Sequence, residues 1–160
     1  MADAVNPIPE GYEGATPYLC INDAAKAIDF YKQAFGATEL MRMPEPSGKI
    51  GHAELKIGKA IIMLSDEWPE IDHRSPTTLG GSTVGIMLYF DDVDKIAEQA
   101  VTAGGKLTRE LKDEFYGDRT GTLVDPFGHR WFIATHKEDL SHEEMERRSR
   151  EIMSQHDGAS

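Results

Sequence analysis

A single cysteine, Cys20, is all the thiol the sequence carries, so no internal disulfide can form and a reducing, cytoplasmic setting is expected. No apolar run approaches the roughly 20 residues that span a bilayer. Met1 to Glu13 lacks the basic start and apolar stretch of a signal peptide and reads as a polar arm. Positive charge is scarce: 17 Lys and Arg stand against 28 Asp and Glu, a net charge of −11. Nucleic acid selects a basic patch and anionic membrane surfaces attract one, so neither is an expected partner. No glycine-rich phosphate loop is present, because Leu79-Gly80-Gly81-Ser82 lacks the lysine and helix pattern that would follow it.

What the sequence does have is a repeat. Ile21-Asn22-Asp23-Ala24-Ala25-Lys26-Ala27-Ile28 is echoed by Phe90-Asp91-Asp92-Val93-Asp94-Lys95-Ile96-Ala97, in a constant register of 69 residues. Tyr31 falls on Ala100 and Gly36 on Gly105. Two copies of so long a unit are not a solenoid. They predict one domain over residues 1–140, built from similar halves at about 15–66 and 83–136, with a cleft where the halves meet. A chain of 160 residues is long enough to bury a core.

Each half reads as strand, helix, then three strands. Thr16 to Ile21 is a strand, and Asp23 caps a helix to about Phe35 whose stripe is Ala24, Ala27, Ile28, Tyr31 and Phe35. Gly36 stops it. Strands follow over 38–43, 50–57 and 60–65, the last two joined at Gly58-Lys59. Residues 67–82 have no periodicity and two prolines, which predicts a linker or lid. The second half repeats the order: strand 84–90, helix from Asp92 to about Ala103, then strands 106–111, 120–124 and 130–135, with a turn at Asp125-Pro126-Phe127-Gly128. A separate polar helix is predicted over 141–155, opened by a Ser141/Glu144 capping box and a Leu140/Met145 staple, with fraying beyond Gln155.

Several side chains could carry chemistry. His52 and Glu54 lie two apart on a strand and share a face. They are either a polar pair lining a pocket, suited to general acid/base work, or the wet face that Lys56 continues. Arg119 is either a clamp for an anionic or carbonyl-bearing ligand or the partner of Asp118 or Asp125 in a structural ion pair. Trp68, Phe115, Tyr116 and Trp131 offer flat walls for a planar ligand, while Trp131 also fits the core of its strand. Cys20, in an apolar strand with no base beside it, reads as a small core residue. Of the histidines, His142 and His156 belong to the polar tail, His73 to the linker and His129 to a turn.

Together the segments Tyr18-Leu19-Cys20-Ile21-Asn22-Asp23-Ala24-Ala25-Lys26-Ala27-Ile28-Asp29-Phe30-Tyr31, Gly51-His52-Ala53-Glu54-Leu55, Gly117-Asp118-Arg119, Asp125-Pro126-Phe127-Gly128-His129-Arg130-Trp131 and Ala134-Thr135-His136-Lys137-Glu138-Asp139 resemble the vicinal oxygen chelate superfamily. That superfamily holds glyoxalase I, bleomycin resistance proteins, fosfomycin resistance enzymes and extradiol dioxygenases; the nearer resemblance is to its PhnB-like, glyoxalase-like branch. It implies an α+β fold of two paired βαβββ modules, an open, curved mixed sheet around a small-molecule cavity, and a homodimer. The resemblance also implies a divalent metal held by histidine and glutamate on the first and last strands of each module. Here those strands carry neither type, and the glutamate positions fall near Ile62 and Phe132, which cannot ligate a cation. No cofactor is therefore expected. The function expected is binding or sequestering a small organic ligand in a pocket that includes His52, Glu54, Trp68, Phe115, Tyr116, Arg119 and Trp131. The alternative is a metal-dependent lyase, isomerase or dioxygenase with relocated ligands.

Overall fold

The computed structural model describes residues 5–157. Its elements run β1 (Tyr18–Ile21), α1 (Ala24–Phe35), β2 (Thr38–Pro44), β3 (Ile50–Ile57), β4 (Ala60–Asp66), α2 (Pro76–Leu79), β5 (Gly85–Tyr89), α3 (Val93–Thr102), β6 (Lys106–Asp113), β7 (Asp118–Val124), β8 (Arg130–His136) and α4 (His142–Asp157). The strands form two mixed four-stranded sheets, ordered β1-β4-β3-β2 and β5-β8-β7-β6. In each, the first strand of the half lies parallel to the last, and the other pairings are antiparallel. This is the predicted α+β class. The repeat register is kept in space: α1 begins at Ala24 and α3 at Val93, 69 residues on.

The repeat works because each helix is clipped to the end of its own sheet. In the first half the Asp66 carboxylate accepts from the amides of Asp23 and Ala24 at the start of α1, and from Ile50 at the start of β3. In the second half Thr135, 69 residues after Asp66, accepts from the Val93 amide at 2.9 Å. One carboxylate thus satisfies three backbone donors where a hydroxyl satisfies one, and a helix start always has such donors to satisfy.

The core lies between the two sheets, where α1 packs on α3. Besides the predicted stripe, α1 also buries Phe30 and Ala34, because it touches both its own sheet and the other half. Phe30, Phe35, Phe90, Phe127, Tyr31 and Trp131 make one aromatic cluster. Ring centroids are 4.9 Å apart for Phe35–Trp131 and 5.3 Å for Tyr31–Trp131. Each such pair adds about 0.5–1.5 kcal/mol beyond its burial. At the centre sits Asp125, 4% exposed. It accepts from the Tyr31 hydroxyl and the Trp131 indole, at 2.7 and 2.8 Å, and from the amides of Phe127 and His129. Burial, then the Asp125 charge, pushes the Tyr31 phenol far above its ordinary value, so it stays a donor.

The linker over residues 67–82 carries local structure, and two expectations about the tail helix need correction. Trp68 bridges His73, Pro69–Ile71 forms a 3₁₀ turn, and Ser75 caps the short α2, its amide held by Glu67 at 2.6 Å. Serine followed by proline at the first helical position is a start signal independent of periodicity. The capping box at α4 is half made: Ser141 accepts from the Glu144 amide, but the Glu144 carboxylate turns to Arg147 and Arg148. Those two arginines, Arg147 first, hold it down to about 2. Finally, α4 continues to Asp157, two residues past its predicted end. The fraying expected beyond Gln155 concerns residues largely outside the description, as 158–160 and 1–4 lie outside the described residues. No described helix is long and apolar enough to cross a membrane.

Candidate functional site

Each sheet turns one face to the helices and the other outward. On the first sheet, cross-strand pairing aligns Met41, Glu54, Met63 and Tyr18 in one row, with His52 opposite Met43 in the next. His52 and Glu54 therefore do share a face, and Tyr12 from the N-terminal arm reaches over it. Tyr12 donates to one oxygen of Glu54, and His52 Nε2 sits 3.3 Å from the other. His52 Nδ1 lies 3.1 Å from the Tyr18 hydroxyl. The hydrogen bond from Tyr12, then that from His52, holds the Glu54 carboxyl below its ordinary value. Trp68 forms a backbone bridge with His73, whose ring tilts against Tyr18 at 5.8 Å.

The outer face of the second sheet carries Tyr89, Asp118 and His136. Asp118 is buried and takes the Tyr89 hydroxyl at 2.6 Å and His136 Nδ1 at 2.7 Å, while Asp139 meets His136 Nε2. The hydrogen bond to Asp118 pushes Tyr89 up to about 12, and it raises His136 above its ordinary 6.5, with Asp139 second. A raised folded-state value means that protonated His136 favours the fold. The contribution is complete below 6.5 and lost as pH rises through the higher folded value. Thermal unfolding scanned between pH 5 and 9 is therefore expected to show melting temperature falling through the upper part of that window. His136→Asn should flatten the fall, and an unchanged slope in that variant would remove His136 from the account.

The other predicted residues are scattered. Phe115 and Tyr116 form an edge-on pair in the turn before β7, where Arg148 of α4 donates to the Phe115 carbonyl. Arg119 is an ion-pair residue, but not with Asp118 or Asp125. It grips Asp94 with two bonds of 2.8 Å and touches Asp113 at 3.3 Å. Strand alternation puts Arg119 on the helix side, facing the first turn of α3, while Asp118 points outward. Trp131 is fully buried and belongs to the core rather than to a pocket wall.

A concavity lies elsewhere, between the edge strands β1 and β5. It has a volume of about 740 Å³, within the range of small-molecule sites. Tyr18, Leu79, Val84 and Ile86 make its apolar walls, and Arg74 and Arg130 reach into it. His129 closes one side, its Nε2 3.0 Å from the Cys20 carbonyl on the free edge of β1. Burial, then Glu67 and Asp66, pushes the Cys20 thiol up to about 11, so it is neutral and no nucleophile at pH 7. None of the seven residues picked from the sequence lines this cleft; His52 reaches it only through Tyr18. Arginines within the linker and at the head of a strand, Arg74 and Arg130, were the available signal.

The residues do not fit a divalent cation. No group of three His, Cys, Asp or Glu converges among the described residues. His52 and Glu54 have all their polar atoms engaged by Tyr12, Tyr18 and each other, and Ile62 and Phe132 offer no lone pair.

Comparison with known proteins fits this geometry. The profile of the Glyoxalase/Bleomycin resistance protein/Dioxygenase superfamily matches residues 15–133. The uncharacterized protein Rv0887c of Mycobacterium tuberculosis is 41% identical over 134 residues, covering 82% of this chain and 79% of that one. Among solved structures, TioX from Micromonospora sp. ML1 superposes with a TM-score of 0.61 at 25% identity, over 81% of this chain and 100% of its own. The fosfomycin resistance protein FosX from Mesorhizobium loti does so at 0.59 and 16% identity, over 78% and 93%, a likeness of fold alone.

Proposed function

The chain belongs to the Glyoxalase/Bleomycin resistance protein/Dioxygenase superfamily, and from that premise we propose that it binds and sequesters a small organic molecule in the cleft between β1 and β5. The observation that carries the reading is the cleft itself, roomy, largely apolar and set with two arginines. The satisfied state of His52 and Glu54 supports holding a ligand over turning one over. Within the superfamily we place the chain in the PhnB-like branch, on the motifs from Tyr18 to Tyr31 and from Asp125 to Trp131. A homodimer belongs to the same proposal. Met43 and Tyr89 stand more than half exposed and Met87 42% exposed on the outward faces of the sheets, and exposed apolar side chains of that kind support a contact surface.

A thermal-shift screen of drug-sized molecules tests the binding reading. A ligand at one hundred times its Kd stabilises the native state by about 2.7 kcal/mol, or roughly 5–10 °C for a domain of this size. Val84→Trp, which adds bulk at an exposed position on the cleft wall, is expected to abolish the shift. A broad panel that leaves the melting temperature unmoved would sink the proposal.

A further inference from the structure

We propose that the cleft between β1 and β5 takes a small organic anion, its acid group held by Arg130 and Arg74 and its flat apolar body lying against Tyr18, Leu79 and Ile86. The inference rests on the cleft-binding reading above and narrows it to one class of charge.

The argument starts from an imbalance. Acidic residues outnumber basic ones 28 to 17 in the chain, yet no Asp or Glu lines the cleft, and its only formally charged side chains are two guanidinium groups. Arg130, at the head of β8, makes no ion pair among the described residues. Arg74 pairs with Asp72 at 3.0 Å, but Asp72 is 87% exposed. A pair so open to water is worth less than about 1 kcal/mol and yields readily to a better partner. An acid group offering two oxygens to a planar fork of donors is such a partner.

The rest of the wall does not oppose an anion. The Cys20 thiol is neutral because burial pushes it up to about 11. Pro17, Leu19, Pro76 and Val84 are apolar, so they lower the local dielectric and strengthen the charge contact. Tyr18 is half exposed, and its ring is steadied edge-on by His52 at 5.5 Å and tilted by His73. A ring held that way presents a fixed surface to a planar body. Acid head and flat body are thus met by different parts of one cavity.

The test compares two fluorescent probes with the same arylamine skeleton: 1-anilinonaphthalene-8-sulfonate, an anion, and N-phenyl-1-naphthylamine, its neutral counterpart. Titration of the full chain is expected to show the sulfonate binding once per chain, about tenfold tighter than the amine. Arg130→Gln should weaken the sulfonate by about tenfold and leave the amine unchanged, and Val84→Trp should weaken both. If the two probes bind equally, or Arg130→Gln moves neither, the anion inference falls while the cleft-binding reading stands. If Val84→Trp spares the sulfonate, the anion lies outside the cleft and the inference falls. If neither probe binds, both readings fall together.

Discussion

Asp125→Asn is expected to lower stability by about 4 kcal/mol, because it keeps the shape of the side chain and spoils its hydrogen bonding. Four donors converge on the two Asp125 oxygens: the amides of Phe127 and His129 on one, the Tyr31 hydroxyl and the Trp131 indole on the other. An asparagine oxygen can keep one of these pairs, while its NH₂ meets the other head-on. Two buried donors then lose their acceptor, at about 1–3 kcal/mol each. The Tyr31 hydroxyl can turn to accept from the new NH₂, but the indole and the amides can only donate. For a domain of this size the loss corresponds to a melting temperature lower by roughly 10 °C. A calorimetric shift of less than 2 °C would show that the hub can rearrange and that the two halves are not tied through it.

Trp131→Ala is expected to cost about 3–5 kcal/mol, the range for emptying a fully buried tryptophan site. Its ring touches Tyr31 and Phe35 from the other half, so the cavity opens in the seam between α1 and the second sheet. The companion expectation separates core from pocket. Binding of the neutral arylamine, measured well below the lowered melting temperature, should stay within about twofold of wild type, as for mutations remote from a site. A stable Trp131→Ala protein that no longer binds would return Trp131 to a pocket wall.

The sequence-based expectations divide along a physical line. Helix starts at Asp23 and Asp92, the stop at Gly36 and the turn at Asp125 follow from short-range chemistry, and they stand where predicted. The 69-residue echo exposed the two-module layout because both copies keep the same caps and the same helical stripe. The site was less legible. Alternation placed His52 beside Glu54, yet their partners Tyr12 and Tyr18 are 42 and 34 residues distant in sequence. Arg119 was judged by neighbours along the chain, but a strand hands adjacent residues to opposite faces, and its partner came from α3. The cleft joins β1, the linker, β5 and the head of β8, four segments that meet only once the halves have packed. Trp131 shows the limit most plainly: an aromatic on a strand reads the same whether it faces a ligand or another ring.

The hydrogen bond from the His129 ring to the Cys20 carbonyl has a consequence for how such a cleft can diversify. His129 borders the cavity, yet its backbone amide is pinned by Asp125 in the aromatic centre. The gap between the two edge strands is therefore gauged from behind, by a strut rooted in tightly packed material that resists continuous deformation. Tyr31 and Trp131, which share the Asp125 carboxylate with His129, stand behind that strut without lining the cleft. On the proposed reading, exchanging such residues would tune the width of the opening while Arg74, Arg130 and the surrounding wall stay as they are.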